Sequence, residues 1–177
     1  MNRVPCWPVL PLVLLWLVPG LAAAQQARPI EVRLARAAAV LGPLEYETGS
    51  SIVWLSDTSL AITDGSEHQV VVFDTAGREI ARLGRNGRGP GEFAGVGALL
   101  ASDRGEIVVA DILTSRVSYF DARFHFVSSV QVPGMPMGLL AWRGGRVAVA
   151  WTTVSPTGGG PTVGTLDFAS GTATAAF

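Results

Sequence analysis

The sequence predicts an all-β fold on three observations. Beyond residue 41 helical periodicity is almost absent, and the chain runs in short β-branched and aromatic stretches broken by Gly, Asp, Ser and Pro. Those stretches recur at a near-constant spacing of 47 residues. Composition agrees: of 177 residues, 49% are hydrophobic and 15% charged, with 21 Gly and 11 Pro, which describes a turn-rich globular chain rather than a disordered one.

The first 24 residues read as a secretory signal peptide. Arg3 gives a positive start, Val9 to Val18 an apolar stretch, Pro19-Gly20 a helix stop, and Leu21-Ala22-Ala23-Ala24 small residues before a cut at Gln25. The apolar run falls short of the ~20 residues that cross a bilayer. Cleavage would leave an exported chain, periplasmic or extracellular, with no membrane span. Its lone cysteine, Cys6, would be lost, so no disulfide would hold the mature fold. Residues 25–48 follow, and Arg28 through Leu41 fit either a strand closing a ring or a short helix.

From residue 49 the repeat governs. Leu60-Ala61-Ile62-Thr63-Asp64 and Val70-Val71-Val72-Phe73-Asp74 are matched 47 residues later by Ile107-Val108-Val109-Ala110-Asp111 and Val117-Ser118-Tyr119-Phe120-Asp121. A degraded third copy runs through Val147 to Trp151 and Val163 to Asp167. Each copy reads as four strands, the outermost being Glu79 to Leu83 or His125 to Val132. Four short strands repeated at this spacing predict β-propeller blades, approximately 49–93, 94–138 and 139–177, the last incomplete. Asp74 and Asp167 are expected to open the turns before the fourth strands, with Gly77 and Gly171 taking left-handed positions. Asp57 and Asp103 are expected to make the first turns. Trp54, Trp142 and Trp151 are expected to fill space between blades.

Between the first two copies lies Leu83-Gly84-Arg85-Asn86-Gly87-Arg88-Gly89-Pro90-Gly91-Glu92-Phe93. A phosphate cradle is excluded because no Lys-Ser or Lys-Thr follows and no parallel strand and helix flank it. Its backbone demands positive φ and close approach, and Phe93 is suited to wedge between two sheets. This segment, with Val109-Ala110-Asp111, Arg116-Val117 and Phe120-Asp121, resembles the six-bladed propeller proteins of the NHL-like group. The resemblance covers residues 44 to 134 well and 139 to 177 weakly. It implies a six-bladed ring used mostly for binding, with some similar rings acting as metal-dependent esterases or lactonases, or as lyases. A closed ring needs about 280 residues at this spacing, so the ring is expected to be incomplete, by truncation or by association of copies.

Blade geometry groups a tentative ligand-binding rim: Glu67, His68, Arg85, Arg88 and Glu92, with Asp111 beneath. Two Arg donors there suit a small anionic ligand or a peptide. The alternative role for these residues is structural, with Asp64 and Asp111 capping loops, Arg116 pairing with a carboxylate and Arg85 and Arg88 solvated. No residue is assigned to catalysis. There is no Gly-x-Ser-x-Gly elbow, and His68 and His125 have no zinc-binding spacing. A net charge of −1 excludes nucleic acid as a partner. The function expected is that of an exported binding or scaffold protein, presenting loops on one face to a protein, peptide or glycan and needing no cofactor. The second reading is a metal-dependent hydrolase of the esterase or lactonase kind, with calcium held partly by blades outside this sequence.

Overall fold

The computed structural model describes residues 51–153 and 158–176. The signal segment 1–24 and the segment 25–48 lie outside the described residues. The described residues belong to one unit, Arg36–Phe177, and form three four-stranded antiparallel sheets, each a consecutive meander. Blade 1 is β1 (Ile52–Ser56), β2 (Ser59–Asp64), β3 (Gln69–Asp74) and β4 (Glu79–Leu83). Blade 2 is β5 (Val96–Ala101), β6 (Ile107–Asp111), β7 (Arg116–Phe120) and β8 (Phe126–Gln131). Blade 3 is β9 (Met135–Arg143), β10 (Arg146–Thr152), β11 (Pro161–Asp167) and β12 (Thr172–Ala175). The sheets do not close into a barrel, and the arrangement is that of an incomplete six-bladed propeller. The blade division expected at 138 falls inside β9, which starts at Met135 because only three residues, 132–134, link it to β8.

Alternation along the strands decides which blade touches which. Successive side chains on a strand point to opposite faces, so a run such as Val70-Val71-Val72 needs cover on both sides. Ile107, Val109 and Phe120 of blade 2 pack with Leu55, Ala61, Val70, Val72 and Leu83 of blade 1. The alternate residues of blade 2, Val108, Ala110 and Val117, pack with Val147, Val149, Trp151 and Leu166 of blade 3. Blade 2 is therefore apolar on both faces, and every residue of β6 is buried. The matched aspartates occupy like elements: Asp64 ends β2 and Asp111 ends β6.

The outer turns repeat as well. Asp74 Oδ1 accepts the N–H of Ala76 and Arg78, each at 2.9 Å, and Asp121 Oδ1 those of Arg123 and His125 at 2.9 and 2.8 Å. Asp167 Oδ1 accepts from Ala169 and Ser170 at 3.0 and 3.1 Å. Backbone donors lead the effects that hold all three carboxyls below the usual carboxylate range. Gly77, Phe124 and Gly171, spaced by 47, take φ of 79°, 66° and 69°. Phe124 is a non-glycine there; its half-buried ring packs on the first core cluster and offsets the strain.

Two expectations are corrected. In the first turns the acceptors are the serines before the aspartates: Ser56 Oγ accepts from Thr58 N and Ser102 Oγ from Arg104 N, both at 3.2 Å. A hydroxyl reaches the backbone two residues on as an aspartate does. Trp151 is buried between blades 2 and 3, and Trp142 stacks edge-on to Tyr119 at 5.7 Å, but Trp54 is 61% exposed. Trp54 points away from blade 2, on the face where no described sheet covers β1.

The glycine-rich connection of residues 84–95 fills the gap that opens between the outer strands of blades 1 and 2. Phe93 is fully buried and lies 6.1 Å from Phe120. Gly84 has φ +78°, and a Cβ there would overlap the Phe93 ring. Gly84→Ala combines left-handed strain with that overlap and is expected to cost about 2–4 kcal/mol, whereas Gly144→Ala, also left-handed but in open space, costs about 1 kcal/mol. Urea denaturation of the two variants checks the difference.

Candidate functional site

The β2–β3 loop, the β6–β7 loop and the connections between blades emerge at one end of the sheets. There a groove of about 500 Å³ runs across all three blades. Thr63 and His68 line it from blade 1, Ile112 and Leu113 from blade 2, and Met135 and Met137 from blade 3, with backbone of residues 94–98 between them. Leu113 and Met137 are 66% and 61% exposed. Gly95 and Gly97 keep the floor open: Cβ atoms there would meet Leu113 and Ile112 at 2.6 and 2.9 Å.

The residues singled out from sequence separate into three roles. His68, at φ 53°, lines the groove, and its Nδ1 is buried without a hydrogen-bond partner. Glu67 is exposed and donates its N–H to Asp64 Oδ1 at 3.2 Å. Asp111 is wholly buried: Oδ2 accepts from Ala94 N at 2.8 Å, and Oδ1 from Gly95, Leu113 and Thr114 N at 3.0–3.2 Å. One carboxylate thus ties the β6–β7 loop to the connection that forms the groove floor.

Arg85 and Glu92 are turned onto each other, with Nη2 2.6 Å and Nε 2.8 Å from Oε1. Glu92 Oε2 accepts Gly89 N at 2.8 Å. That N–H, followed by the Arg85 guanidinium, holds the Glu92 carboxyl below its usual range. Arg88 is exposed, and its carbonyl accepts from Arg116. Arg116 was expected to meet a carboxylate; instead its guanidinium donates to the carbonyls of Arg88, Gly89 and Glu92 at 2.9–3.0 Å. A glycine-rich loop turns several carbonyls to one side, and a planar fork of donors satisfies them together.

Met135 and Met137 were missed from sequence. Their signal is the alternation in Met135-Pro136-Met137, with Pro136 buried between two exposed methionines, which marks a strand where a blade boundary had been drawn.

A family model described as a 6-bladed beta-propeller (DUF5128) matches residues 45–148, more than half of the chain. The chain belongs to this six-bladed β-propeller family. No curated protein matches it in sequence. Among solved structures it is similar to the computationally designed Ika4 protein, at 13% identity and TM-score 0.58 over 80% of this chain and 78% of that one. It is also similar to a putative exported protein from Bacteroides fragilis, at 20% identity and TM-score 0.53, covering 76% of this chain and 37% of that chain. A streptogramin B lyase aligns at 18% identity and TM-score 0.53, covering 72% and 39%. The chain therefore spans under two-fifths of the length of those two natural proteins, and the likeness is one of fold. Among the described residues no group of three or more His, Cys, Asp or Glu is placed to hold a metal ion, and no helix is long and apolar enough to cross a membrane.

At the opposite end of blades 2 and 3 lies a second cleft, of about 570 Å³, lined by Arg104, Glu106, Tyr119, Trp142 and Phe168 among others. Tyr119 OH donates to Glu106 Oε1 at 2.8 Å, and Glu106 Oε2 accepts from Ser102 Oγ at 2.7 Å. Burial, then the Glu106 hydrogen bond, pushes the phenol up to about 12.

Two predictions follow from these geometries. Because the folded Tyr119 keeps its proton above the unfolded value near 10, the native state binds more protons between about pH 10 and 12 and stability falls across that window. Tyr119→Phe flattens the fall, read from melting temperature against pH. Asp111→Ala strands four N–H donors and is expected to cost about 3–5 kcal/mol. Chemical denaturation of the variant checks the magnitude.

Proposed function

We propose that the chain is an exported β-propeller binding protein of the NHL-like kind, whose groove at the loop end takes the apolar side chain of a peptide or protein segment. The observation that carries this reading is the groove itself, lined from three blades by exposed Leu113, Met135 and Met137 beside His68. A concave, mostly apolar site with a few polar groups is the usual form of a ligand site, and unbranched methionines adapt to varied partners. A peptide is favoured over a glycan because the groove's described lining is aliphatic and thioether, Ile112, Leu113, Met135 and Met137, with no Phe, Tyr or Trp among the described residues that line it to stack a sugar ring. An imidazole nitrogen and exposed backbone would supply the polar contacts. The signal peptide read at residues 1–24 carries the exported assignment.

In this reading the six residues first singled out divide. His68 contacts the ligand, while Asp111, Arg85 and Glu92 hold the loops that shape the groove, and Arg88 and Glu67 stand at its rim. The hydrolase alternative would need acidic ligands gathered on one face, and Asp74, Asp111, Asp121 and Glu92 are instead committed to turns and an ion pair.

NMR titration tests the reading with capped tripeptides carrying a central Leu, Met or Glu. The Leu and Met peptides are expected to shift amides of Gly95, Gly97 and Leu113, and Leu113→Ser to weaken them about tenfold. Shifts by the Glu peptide alone at Arg85 and Arg88 would replace the apolar groove with an anion-binding rim, and no shift by any peptide would overturn the binding role at this end.

A further inference from the structure

The cleft at the turn end of blades 2 and 3 has a lining unlike that of the groove. Blade 2 contributes the β5–β6 turn with Ser102, Arg104 and Glu106, the ring of Tyr119 on β7, and Ser128 on β8. Blade 3 contributes Trp142 near the end of β9, the Gly144-Gly145 turn and Phe168 just after β11. Both walls come from the facing sides of two adjacent blades, so further blades on either side would not fill it. Its volume of about 570 Å³ lies within the ~300–1,000 Å³ usual for small-molecule sites.

The aromatic wall is not closed on itself. Trp142 meets Tyr119 edge-on at 5.7 Å and 76°, and Phe168 meets Tyr119 tilted at 5.4 Å and 44°. In an edge-on pair the ring that presents its edge keeps both faces clear of its partner. All three rings are half-buried. The β9–β10 turn adds backbone and no side chain beside them: Gly144 and Gly145 take φ of 58° and 76°, as a two-residue hairpin turn requires, and a Cβ on either would stand in open space.

Next to the rings a carboxylate is already held in place. Glu106 Oε1 accepts from Tyr119 OH at 2.8 Å and Oε2 from Ser102 Oγ at 2.7 Å. A carboxylate offers about four acceptor positions, so each oxygen keeps one for a further donor, and the two lie side by side. Ser128 Oγ is buried with no hydrogen-bond partner among the described residues, a hydroxyl that an added polar group would satisfy. Asp103 and Arg104 stand exposed at the rim with opposite charges. An anion here meets Glu106 and Asp103, and a cation meets Arg104, so neither has a clear field. A neutral ligand with an apolar ring face and a row of hydroxyls suits all of these groups: C–H on the rings, donors to the carboxylate, acceptors for the guanidinium.

We propose that this cleft binds one neutral sugar ring of a glycan, its apolar face on the wall of Trp142 and Phe168 and two neighbouring hydroxyls donated to Glu106. The site is separate from the groove at the other end of the sheets and stands whether or not the groove takes a peptide.

NMR titration of the full chain tests it with methyl glycosides of glucose, galactose, mannose and N-acetylglucosamine to about 50 mM, which reaches weak, millimolar binding. Choline and acetate serve as the cationic and anionic alternatives. At least one glycoside is expected to shift the amides of Gly144, Gly145 and Ala169 and to change the tryptophan fluorescence. Glu106→Gln keeps the side-chain shape and gives up an acceptor oxygen, and Trp142→Leu removes the flat wall; each is expected to weaken binding about tenfold with circular dichroism unchanged. Glu106→Gln, being isosteric, carries the test where Trp142→Leu disturbs the sheet. Leu113→Ser in the groove leaves glycoside binding as it was. No shift by any glycoside overturns the proposal. So do shifts at these amides by choline or acetate alone, or a glycoside affinity indifferent to the Glu106 and Trp142 variants.

Discussion

Burial of both faces of each sheet is the constraint from which the rest of the structure follows. A four-stranded meander with valine at consecutive positions, as in Val70-Val71-Val72 or Ile107-Val108-Val109, has no polar face to show to water. It must be layered between neighbours. Strand alternation then divides its side chains into a set for the blade before and a set for the blade after. The division is visible in blade 2, where Val109 joins one core and Val108, its neighbour in sequence, the other.

Layered sheets that share an inner edge splay apart toward the outside, and the chain fills the resulting wedges in two different ways. Between blades 1 and 2 the filler is a connection of twelve residues, 84–95, whose Phe93 enters the core and whose glycines make room for it. Between blades 2 and 3 the connection is three residues, and Tyr119, Trp142 and Phe168 occupy the wider part of the gap, with ring centroids 5.4–5.7 Å apart. The long connection also needs its own bracing, which Glu92 and Arg116 supply. Glu92 meets Arg85 and Gly89 N–H, while Arg116 gathers three carbonyls. Side chains that look like a ligand-binding cluster in sequence are in good part committed to holding a loop whose backbone has few partners in regular structure.

This explains what was legible in the sequence and what was not. The repeat, the strands and the outer turns were legible because each rests on local chemistry: β-branched runs, and an Asp with a left-handed residue three or four positions on. The role of Asp111 as a loop cap was legible for the same reason, since its acceptor geometry is shared with Asp64. The groove was not legible, because His68, Leu113 and Met137 come to line one groove only after two inter-blade packings have placed them. Trp54 was misplaced because its register is that of an interblade residue while the described residues hold no sheet on that side.

Asp64 and Asp111 show how one repeated residue ends the second strand of successive blades. Both cap the loop between second and third strands, Asp64 accepting from Ser66 and Glu67 of its own loop. Asp111 accepts from its own loop and also from the incoming connection, through Ala94 and Gly95. The carboxylate charge is spread over four N–H donors, which makes its burial tolerable without a cation. Blade 3 has no aspartate at this point and ends β10 with Trp151 and Thr152, where the short connection 132–134 brings Gly134 against the Thr152 carbonyl. At blade 2, in the middle of the groove, one carboxylate thus ties a loop to the groove floor, and the walls contributed by blades 1 and 3 stand on either side of it.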